Sequence, residues 1–290
     1  MIKLDNVTFK YQTFRKSAGV AGTLRDLVHR ETDEVLAVHP TTLNIHDGEM
    51  VGLIGPNGAG KTTLIKMLTG ILPPTTGTLT IGSHTPFERD FKFLNEIGVL
   101  LGQKSQLSWD LPAIDTLNML SQIYQLKPQA YQTRLTELAD MLKTKDLLNI
   151  PVRKLSLGQR VRCELMCALI HSPKYLFLDE PTLGLDLLTQ DSIYKFLNHE
   201  HATHNTTTVV TSHYLPDIEN LSHRLLVITA GTIVYDGPTA NLPVKPAAHQ
   251  TFVVKTFDQQ HPEQVITNTL APDELHLLAE ISGYEPVNRH

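Results

Sequence analysis

The chain alternates between short apolar runs and polar stretches. Residues 2–9 alternate apolar and polar side chains, which predicts a strand with one buried face. Residues 50–54 contain only apolar side chains and glycine, which predicts a strand buried on both faces. Further strands are predicted at residues 35–45, 77–81, 97–101, 175–178, 209–210, 225–228 and 233–235.

Helical periodicity dominates the middle of the chain. Helices are predicted at residues 61–69 and 156–170, around Ile193 and Ile218, and repeatedly between residues 112 and 148. Strands that alternate with helices predict an α/β fold, with a mostly parallel sheet and helices on both of its faces. Residues 112–170 are predicted to form a helical subdomain inserted between two strands of that sheet.

Two segments depart from this alternation. Residues 12–34 are predicted to be an insertion, because the polar stretch after Tyr11 does not continue the first strand. Within it Val20, Leu24, Leu27 and Val28 lie at helical spacing, which predicts a loop followed by a short amphipathic helix. We therefore expect one large domain at residues 1–240 and a small C-terminal extension at residues 241–290. In the extension, residues 251–257 alternate like a strand and two short helical patterns follow.

Composition and charge exclude several classes of protein. The chain has 290 residues, of which 41% are hydrophobic and 19% charged, the balance of a folded globular protein. Its net charge of −5 argues against a general nucleic-acid binder. The two cysteines, Cys163 and Cys167, lack further ligands at metal-binding spacing and are expected to be reduced thiols of a cytosolic protein. The N-terminus lacks a signal-peptide layout and no apolar run reaches membrane-spanning length, so any work at a membrane is expected to need a partner.

A glycine-rich segment follows the buried strand and precedes a helix. It reads Gly55-Pro56-Asn57-Gly58-Ala59-Gly60-Lys61-Thr62, with Thr63 next, and it matches the phosphate-loop pattern G-x-x-x-x-G-K-[ST]. Its glycines allow backbone N–H groups to turn toward an anion at the start of a helix. Lys61 is expected to reach the β- and γ-phosphates of ATP, and the hydroxyl of Thr62 is expected to be a Mg²⁺ ligand.

A second apolar strand ends in two carboxylates. Residues 175–178 lead directly into Asp179 and Glu180. A carboxylate at a buried strand end can meet a metal ion without flexing, so Asp179 is expected in the Mg²⁺ shell. Glu180 is expected to polarise the attacking water. Together with the phosphate loop, these carboxylates predict hydrolysis of the nucleotide.

The segment Leu155-Ser156-Leu157-Gly158-Gln159 stands upstream of that strand, and here the sequence resembles the ATP-binding cassette (ABC) transporter ATPases. Their signature reads L-S-G-G-Q, from which this chain departs at Leu157. The resemblance covers about residues 1–240 and implies the phosphate-loop hydrolase fold with an antiparallel N-terminal β part. It also implies a dimer of two copies, or of this chain and a related ATPase. In that dimer Ser156, Gly158 and Gln159 of one subunit contact the nucleotide of the other.

The same resemblance assigns four further roles. Gln103 matches the glutamine that contacts Mg²⁺ and the attacking water, with Gln106 as the alternative. Asp186, in Gly184-Leu185-Asp186, matches the loop that crosses to the partner subunit, and His213 matches the switch histidine at the γ-phosphate. Tyr11 matches the aromatic residue that stacks on adenine, unless the insertion transfers that role to Phe14.

Within the family, the signature and the segment Gly102-Gln103-Lys104-Ser105-Gln106-Leu107 resemble the exporters of the multidrug and daunorubicin class. Such ATPases pair with a separate integral-membrane permease, so we expect a cytoplasmic protein at the inner face of the membrane that exports a substrate. Trp109 and the helix at residues 20–28 are candidate contacts to the permease or the membrane, but local packing and a solvated extension explain them equally well. The alternatives are a soluble ABC ATPase acting on ribosomes or nucleic acid, and a regulatory module that senses ATP. Direct contact with nucleic acid is not expected.

Overall fold

The computed structural model describes residues 1–14, 32–102 and 105–241, together with two short strands at Phe252–Val254 and Gln264–Ile266. The chain divides into two compact units, Met1–Ala240 and Asn241–His290. In the second unit the two short strands, β10 and β11, pair antiparallel with Phe252 opposite Ile266. Residues 251–257 were predicted as a strand, and Phe252–Val254 lies within them. The strand at Gln264–Ile266 was not predicted.

The first unit contains a six-stranded sheet at its centre. Strands β3 (Met50–Ile54), β5 (Ile97–Leu101), β6 (Tyr175–Asp179), β7 (Thr207–Ser212), β8 (Arg224–Thr229) and β9 (Thr232–Pro238) lie in the order β5-β6-β7-β3-β8-β9. The first five are parallel and β9 runs antiparallel to β8. The carboxyl ends of β3, β6 and β7 therefore meet at one edge, where ligands bind in open α/β sheets.

A smaller antiparallel sheet is formed by β1 (Ile2–Phe14), β2 (Thr32–Ile45) and β4 (Thr76–Ile81), with β1 in the middle. The sequence prediction was wrong at the end of β1, because the strand continues through residues 11–14 and β2 begins at Thr32 rather than at residue 35. The two segments pair from Tyr11 opposite Val35 to Phe14 opposite Thr32. The strand ends cannot be recognised from the sequence pattern, because backbone pairing needs no buried apolar face. The predicted helix at residues 20–28 lies outside the described residues.

The helices are α1 (Lys61–Leu68), α2 (Phe91–Glu96), α3 (Ala113–Ile123), α4 (Pro128–Met141), α5 (Leu157–Leu169), α6 (Leu187–His204) and α7 (Leu215–Glu219). Helix α2 was not predicted, although Asp90 caps it by accepting a hydrogen bond from the N–H of Phe93. Helices α3, α4 and α5 lie in the segment that was expected to be helical. Among the helices of the described residues, none is both long enough and apolar enough to cross a bilayer.

The core joins both sheets of the first unit around α1. Its largest fully buried side chains include Tyr175 and Phe177 of β6, Phe93 of α2, and Leu64 and Ile65 of α1. Because α1 begins directly at Lys61, burial of its apolar face against β6 and the small sheet fixes the position of the phosphate loop. The core thus positions the phosphate loop, for which the sequence predicts a binding role most strongly.

Candidate functional site

The loop between β3 and α1 contains two positions at which only glycine fits. Gly60 has φ = 107°, and a Cβ atom there would lie 2.7 Å from the carbonyl oxygen of Ala37. A Cβ atom on Gly55 would lie 2.2 Å from the carbonyl oxygen of Ile228. Neighbouring backbone therefore holds the loop closely on both sides, which explains why glycine is required at these positions.

The rest of the loop is held by backbone hydrogen bonds. The N–H of Ala59 donates to the carbonyl oxygen of Pro56 at 3.2 Å, and the carbonyl oxygen of Ala59 accepts from Gly231 at 2.8 Å. Asn57 and Gly58 are exposed at the tip of the loop, and a Cβ atom on Gly58 would meet open space. The tip is therefore the part of the loop that remains accessible to a ligand.

Lys61 is a buried cation at the base of the loop. Its Nζ donates to the carbonyl oxygens of Gly55 at 2.7 Å and Pro56 at 3.2 Å, and it lies 3.5 Å from Oε1 of Glu180. Its side chain is only 5% exposed. A buried ammonium group with a single nearby carboxylate and two carbonyl oxygens is well placed to bind an anion that enters the loop.

Asp179, at the end of β6, is held from two sides. The hydroxyl of Thr62 donates to its Oδ2 at 2.9 Å, and the hydroxyl of Thr211 donates to its Oδ1 at 2.7 Å. Asp179 and Thr211 are direct neighbours in the parallel pairing of β6 with β7. Thr211 has no signal of its own in the sequence, because residues 32 positions apart become neighbours only through the strand register.

Glu180 has a left-handed backbone conformation, with φ = 51°. This conformation is uncommon for residues other than glycine, costs about 1–3 kcal/mol, and occurs preferentially at functional sites. The N–H of Glu180 donates to Thr211, at 3.2 Å to the carbonyl oxygen and 3.0 Å to the hydroxyl. The Glu180 carboxylate consequently turns toward Lys61 and toward His213, whose Nδ1 lies 3.6 Å from Oε1.

Tyr11 lies beside the first turn of α1. Its hydroxyl is 3.1 Å from the hydroxyl of Thr63, and its ring packs edge-on against Phe9. The side chain is 38% exposed. The contact of Tyr11 with a base stays a prediction. The side chain of Phe14, the alternative, lies outside the described residues.

The signature residues form a separate cluster at the start of α5. Ser156 caps the helix by accepting from the N–H of Gln159 at 3.3 Å, and the Gln159 side chain accepts in return from the N–H of Ser156 at 2.9 Å. A Cβ atom on Gly158 would lie 3.0 Å from the side chain of Thr189 in α6. Leu157, at the position where the family has glycine, lies against Gly184 and is 42% exposed. The side chain that departs from the family pattern thus lies partly at the surface.

Asp186 caps α6 and belongs to the same cluster. Its carboxylate accepts from the N–H of Thr189 at 2.9 Å and from the Thr189 hydroxyl at 2.7 Å. These hydrogen bonds hold the pKa of Asp186 below its ordinary value. The cap fixes the loop at residues 180–186, which leads from Glu180 to the signature cluster.

Most of the predicted site residues therefore form two groups. The first contains the phosphate loop, Asp179, Glu180 and His213, with Tyr11 alongside, and the second contains Ser156, Gly158, Gln159 and Asp186. Gln103 lies outside the described residues. Gln106, the alternative, donates from Nε2 to the carbonyl oxygen of Val99 at 2.6 Å and is held against β5.

Comparison with known proteins identifies the family of the chain. The family model described as "ABC transporter" matches residues 38–183, half of the chain. The chain is 30% identical to the ABC transporter ATP-binding protein NatA of Bacillus subtilis, over 76% of this chain and 90% of the relative. It is 31% identical to the daunorubicin resistance ATP-binding protein DrrA3 of Streptomyces coeruleorubidus, over 73% of this chain and 66% of the relative. It is 33% identical to the methionine import ATP-binding protein MetN 2 of Bacillus licheniformis, over 81% and 69%.

A solved structure gives the same result for the fold. The dimeric structure of a bacterial ABC transporter cassette matches with a TM-score of 0.68 and 25% identity, over 82% of this chain and 99% of that one. The prediction of a phosphate-loop hydrolase of the ABC type, with a mostly parallel sheet and an antiparallel N-terminal part, is confirmed. Because its relatives include proteins named for export and one named for import, the family alone does not fix the direction of transport. The chain belongs to the ABC transporter family, as an ATP-binding and ATP-hydrolysing subunit.

Proposed function

We propose that this ATPase uses Glu180 to polarise the attacking water, Lys61 to bind the β- and γ-phosphates, and His213 to contact the γ-phosphate. The observation that carries the proposal is the convergence of three elements on one carboxylate. Oε1 of Glu180 lies 3.5 Å from Lys61 and 3.6 Å from His213. A general base held between two groups that bind the same phosphate lies where the attacking water has to be activated.

Mg²⁺ is the cofactor that fits the oxygen atoms beside this carboxylate. The hydroxyl of Thr62 and Oδ2 of Asp179 are 2.9 Å apart, and both are the hard oxygen ligands that Mg²⁺ prefers. In the described residues no cluster of three or more His, Cys, Asp or Glu side chains could hold a metal. Mg²⁺ is usually bound through one or two carboxylates, here Asp179, and completes its shell with phosphate, water and other oxygen ligands. Gln103 is the further ligand that we propose.

We also propose that the active unit is a dimer in which the signature cluster of one copy completes the phosphate loop of the other. Ser156 and Leu157 are exposed, as are Leu183, Leu187 and Leu188 around the Asp186 cap. Leu187 and Leu188 are 79% and 84% exposed, on a surface that a second subunit would cover. A related cassette of 25% identity is dimeric.

Mixing two inactive variants tests this composite site. Lys61→Ala removes the phosphate-binding cation, and Ser156→Arg blocks the signature cluster, so each variant alone should be inactive. A mixed dimer contains one site in which both groups are intact. An equal mixture should therefore recover up to about a quarter of the wild-type ATPase rate, because about half of the dimers are mixed and each keeps one of two sites. No recovery above the two separate rates would mean that each copy completes its own site.

The partner that we propose is an integral-membrane permease. A groove of about 320 Å³ runs between α2 and β5 on one side and α3 and α5 on the other. Phe91 and Ile123 line it and are about half exposed, and Ile71, Leu94 and Tyr124 extend its apolar wall. Such a groove suits the apolar face of a short amphipathic helix. Trp109 is 57% exposed and is a further candidate contact.

Charged substitutions test the groove. Phe91→Asp and Ile123→Asp should abolish co-purification with a permease encoded in a neighbouring reading frame, while the ATPase rate of the isolated protein stays near wild type. Phe87→Asp is the matched control, because Phe87 is 49% exposed but does not line the groove. Co-purification of ribosomes or nucleic acid instead of a membrane protein would contradict the proposal and favour the soluble alternative.

Export is the direction that we propose, and the inner face of the cell membrane is the location. The proposal rests on the likeness to a daunorubicin resistance protein and on the signature sequence, against which stands the likeness to a methionine importer. The direction is tested by measuring substrate transport in inside-out vesicles that contain this ATPase and its permease. ATP-dependent accumulation inside those vesicles indicates export, whereas ATP-dependent release indicates import.

A further inference from the structure

A second buried carboxylate lies behind the catalytic edge of the sheet. Asp217, in α7, is 9% exposed and accepts hydrogen bonds from three side chains. Its Oδ2 accepts from the hydroxyl of Ser212 at 2.8 Å and from the hydroxyl of Thr182 at 3.2 Å. Its Oδ1 accepts from the hydroxyl of Tyr194 in α6. All three donors are themselves buried, so water does not compete readily for these bonds.

Two of these donors belong to the loops that carry the reactive groups. Thr182 stands two residues after Glu180, and Ser212 stands directly before His213. The two loops leave neighbouring strands, β6 and β7, and Oδ2 of Asp217 accepts from both. The Ser212 hydroxyl also accepts from the N–H of Tyr214 at 2.9 Å, so the residues on both sides of His213 are held.

The loop after Glu180 is fixed around the same point. The carbonyl oxygen of Thr182 accepts from the N–H of Leu185 at 3.2 Å and from Nε2 of Gln190 at 3.3 Å. Because Glu180 itself is left-handed at φ = 51°, its orientation depends on such restraints in the residues that follow.

We propose that Asp217 is a positioning residue for ATP hydrolysis, which sets the separation of Glu180 and His213 by joining the two loops that carry them. Its hydrogen-bond partners among the described residues are Thr182, Ser212 and Tyr194, so it acts on Glu180 and His213 through Thr182 and Ser212. Loss of this link removes one of the restraints that fix the separation of the two loops beyond the bonds of the Glu180 N–H to Thr211. A displacement of about 1 Å at a reacting group can lower a rate about 10²-fold, whereas binding through Lys61 and the phosphate loop is left intact.

Asp217→Asn is the first test, because it keeps the size of the side chain but replaces one acceptor oxygen by a donor. We expect kcat to fall at least about tenfold, with KM for ATP within about threefold of wild type, since the defect lies in the chemical step rather than in binding. A purely structural defect would instead reduce the amount of folded enzyme and leave kcat per bound nucleotide unchanged. The concentration of active sites is therefore measured by ATP binding before rates are compared.

Thr182→Val and Ser212→Ala keep the proposal testable if Asp217→Asn does not fold. Each removes one of the two bonds to Oδ2, so each alone breaks the link between the loops. Their double variant should be little slower than the slower single one, a non-additivity that independent sites do not show.

Tyr194→Phe is the matched control. It removes the bond to the other oxygen, Oδ1, and a longer contact of 3.4 Å with the Thr182 hydroxyl, but it leaves both bonds to Oδ2 in place, so kcat should stay within about twofold of wild type while thermal stability falls. The proposal is overturned if Tyr194→Phe lowers kcat as much as Asp217→Asn does. It is also overturned if the Thr182→Val and Ser212→Ala effects simply multiply, or if Asp217→Asn leaves kcat unchanged.

Discussion

Nζ of Lys61 lies 3.5 Å from Oε1 of Glu180, so the cation of the phosphate loop and the proposed base are direct neighbours. The same ammonium group donates to two backbone carbonyl oxygens of its own loop. A γ-phosphate bound as we propose would compete with the Glu180 carboxylate for this cation, and the carboxylate would then be free to act on a water molecule beside it.

Glu180→Gln should separate nucleotide binding from hydrolysis. The amide is nearly the same size but is a poor base, so we expect the ATPase rate to fall about 10²–10⁴-fold while ATP still binds. Removal of a negative charge beside Lys61 also favours the bound phosphate, so ATP should accumulate in a trapped dimer. Steady-state turnover and size-exclusion chromatography with ATP measure the two effects.

Glu88→Gln is the control for Glu180→Gln, because Glu88 is an exposed glutamate in the short 3₁₀ helix at Pro86–Glu88. Its rate should match wild type. Near-normal turnover by Glu180→Gln would mean that Glu180 is not the base.

Thr211→Val should weaken the part of the site that we assign to Mg²⁺. The substitution keeps the shape of the side chain but removes the donor to Oδ1 of Asp179 and one of the two acceptors for the N–H of Glu180, whose bond to the carbonyl oxygen of Thr211 remains. Hydrogen bonds to charged groups contribute about 1.5–3 kcal/mol, so we expect the Mg²⁺ concentration for half-maximal activity to rise about tenfold. Titration of ATPase activity with Mg²⁺ at saturating ATP measures it.

Thr208→Val, in the same strand, is the control for Thr211→Val. Thr208 is equally buried, and its hydroxyl donates instead to the carbonyl oxygen of Thr206. If Thr208→Val shifted the Mg²⁺ dependence as far, the cause would be the packing of β7 rather than the bond to Asp179.

The parts of the fold that follow from local pattern were predictable. Residues 50–54 and 97–101 were predicted as strands with the observed bounds, because buried parallel strands are apolar runs that end where the chain becomes polar. The ends of β1 and β2 were not predictable in this way. Residues 11–14 and 32–34 pair with each other through their backbones, and their mixed polar and aromatic sequence shows no apolar period that would mark a strand.

The candidate site likewise has parts that follow from the local sequence pattern and parts that do not. The phosphate loop, Asp179 and Glu180 are each contiguous in sequence with the strand that positions them, so their spacing reveals them. Thr211 and Asp217 are far from these carboxylates in the sequence. The register of β6 with β7 brings Thr211 to Asp179, and the return of α7 brings Asp217 to the loop at Thr182. Single hydroxyl and carboxyl groups of this kind have no local signature, and only the three-dimensional fold identifies them.

A buried ion pair joins α4 to α6. Arg134 donates to the carboxylate of Glu200, to Glu137 at 3.0 Å and to the carbonyl oxygen of Leu169 at 3.4 Å. Oε2 of Glu200 is buried and has no hydrogen-bond partner among the described residues. Arg134→Ala should therefore lower the free energy of unfolding by about 3–5 kcal/mol, because it leaves a buried carboxylate without its counter-charge.

The double variant Arg134→Met with Glu200→Leu tests why Arg134→Ala is destabilising. The cause is either the unpaired carboxylate of Glu200 or the loss of an ion pair that itself stabilises the protein. Replacing both charges by apolar groups of similar size should restore stability to within about 1–2 kcal/mol of wild type, since neither charge then needs to be solvated. Urea unfolding followed by circular dichroism measures all three proteins. A double variant that is less stable than Arg134→Ala would show that the ion pair itself stabilises the junction.

His171 connects the end of α5 to β5. One ring nitrogen, Nε2, donates to the carbonyl oxygen of Ile97 at 2.9 Å, and the ring stacks on Tyr124 with 3.9 Å between centroids. Its other nitrogen, Nδ1, is buried and unpaired among the described residues. Burial, together with the charge of Arg134, lowers the pKa of His171 to about 4, although the bond to Ile97 partly opposes the shift.

The lowered pKa of His171 predicts a loss of stability in weak acid. Because the folded protein binds this proton less readily than the unfolded chain, whose histidine has a pKa near 6.5, the stabilisation is complete above about pH 6.5. It is lost as the pH falls to about 4 and does not change further below that. The full effect is on the order of 3 kcal/mol, from the difference between the two pKa values.

His171→Phe tests this prediction, because it keeps the stacking on Tyr124 but cannot titrate. The free energy of unfolding of this variant should therefore decline less steeply between pH 6.5 and 4 than that of wild type. His46→Gln, at an exposed position, should follow wild type over the same range. Equal slopes for wild type and His171→Phe would show that His171 titrates normally in the folded protein.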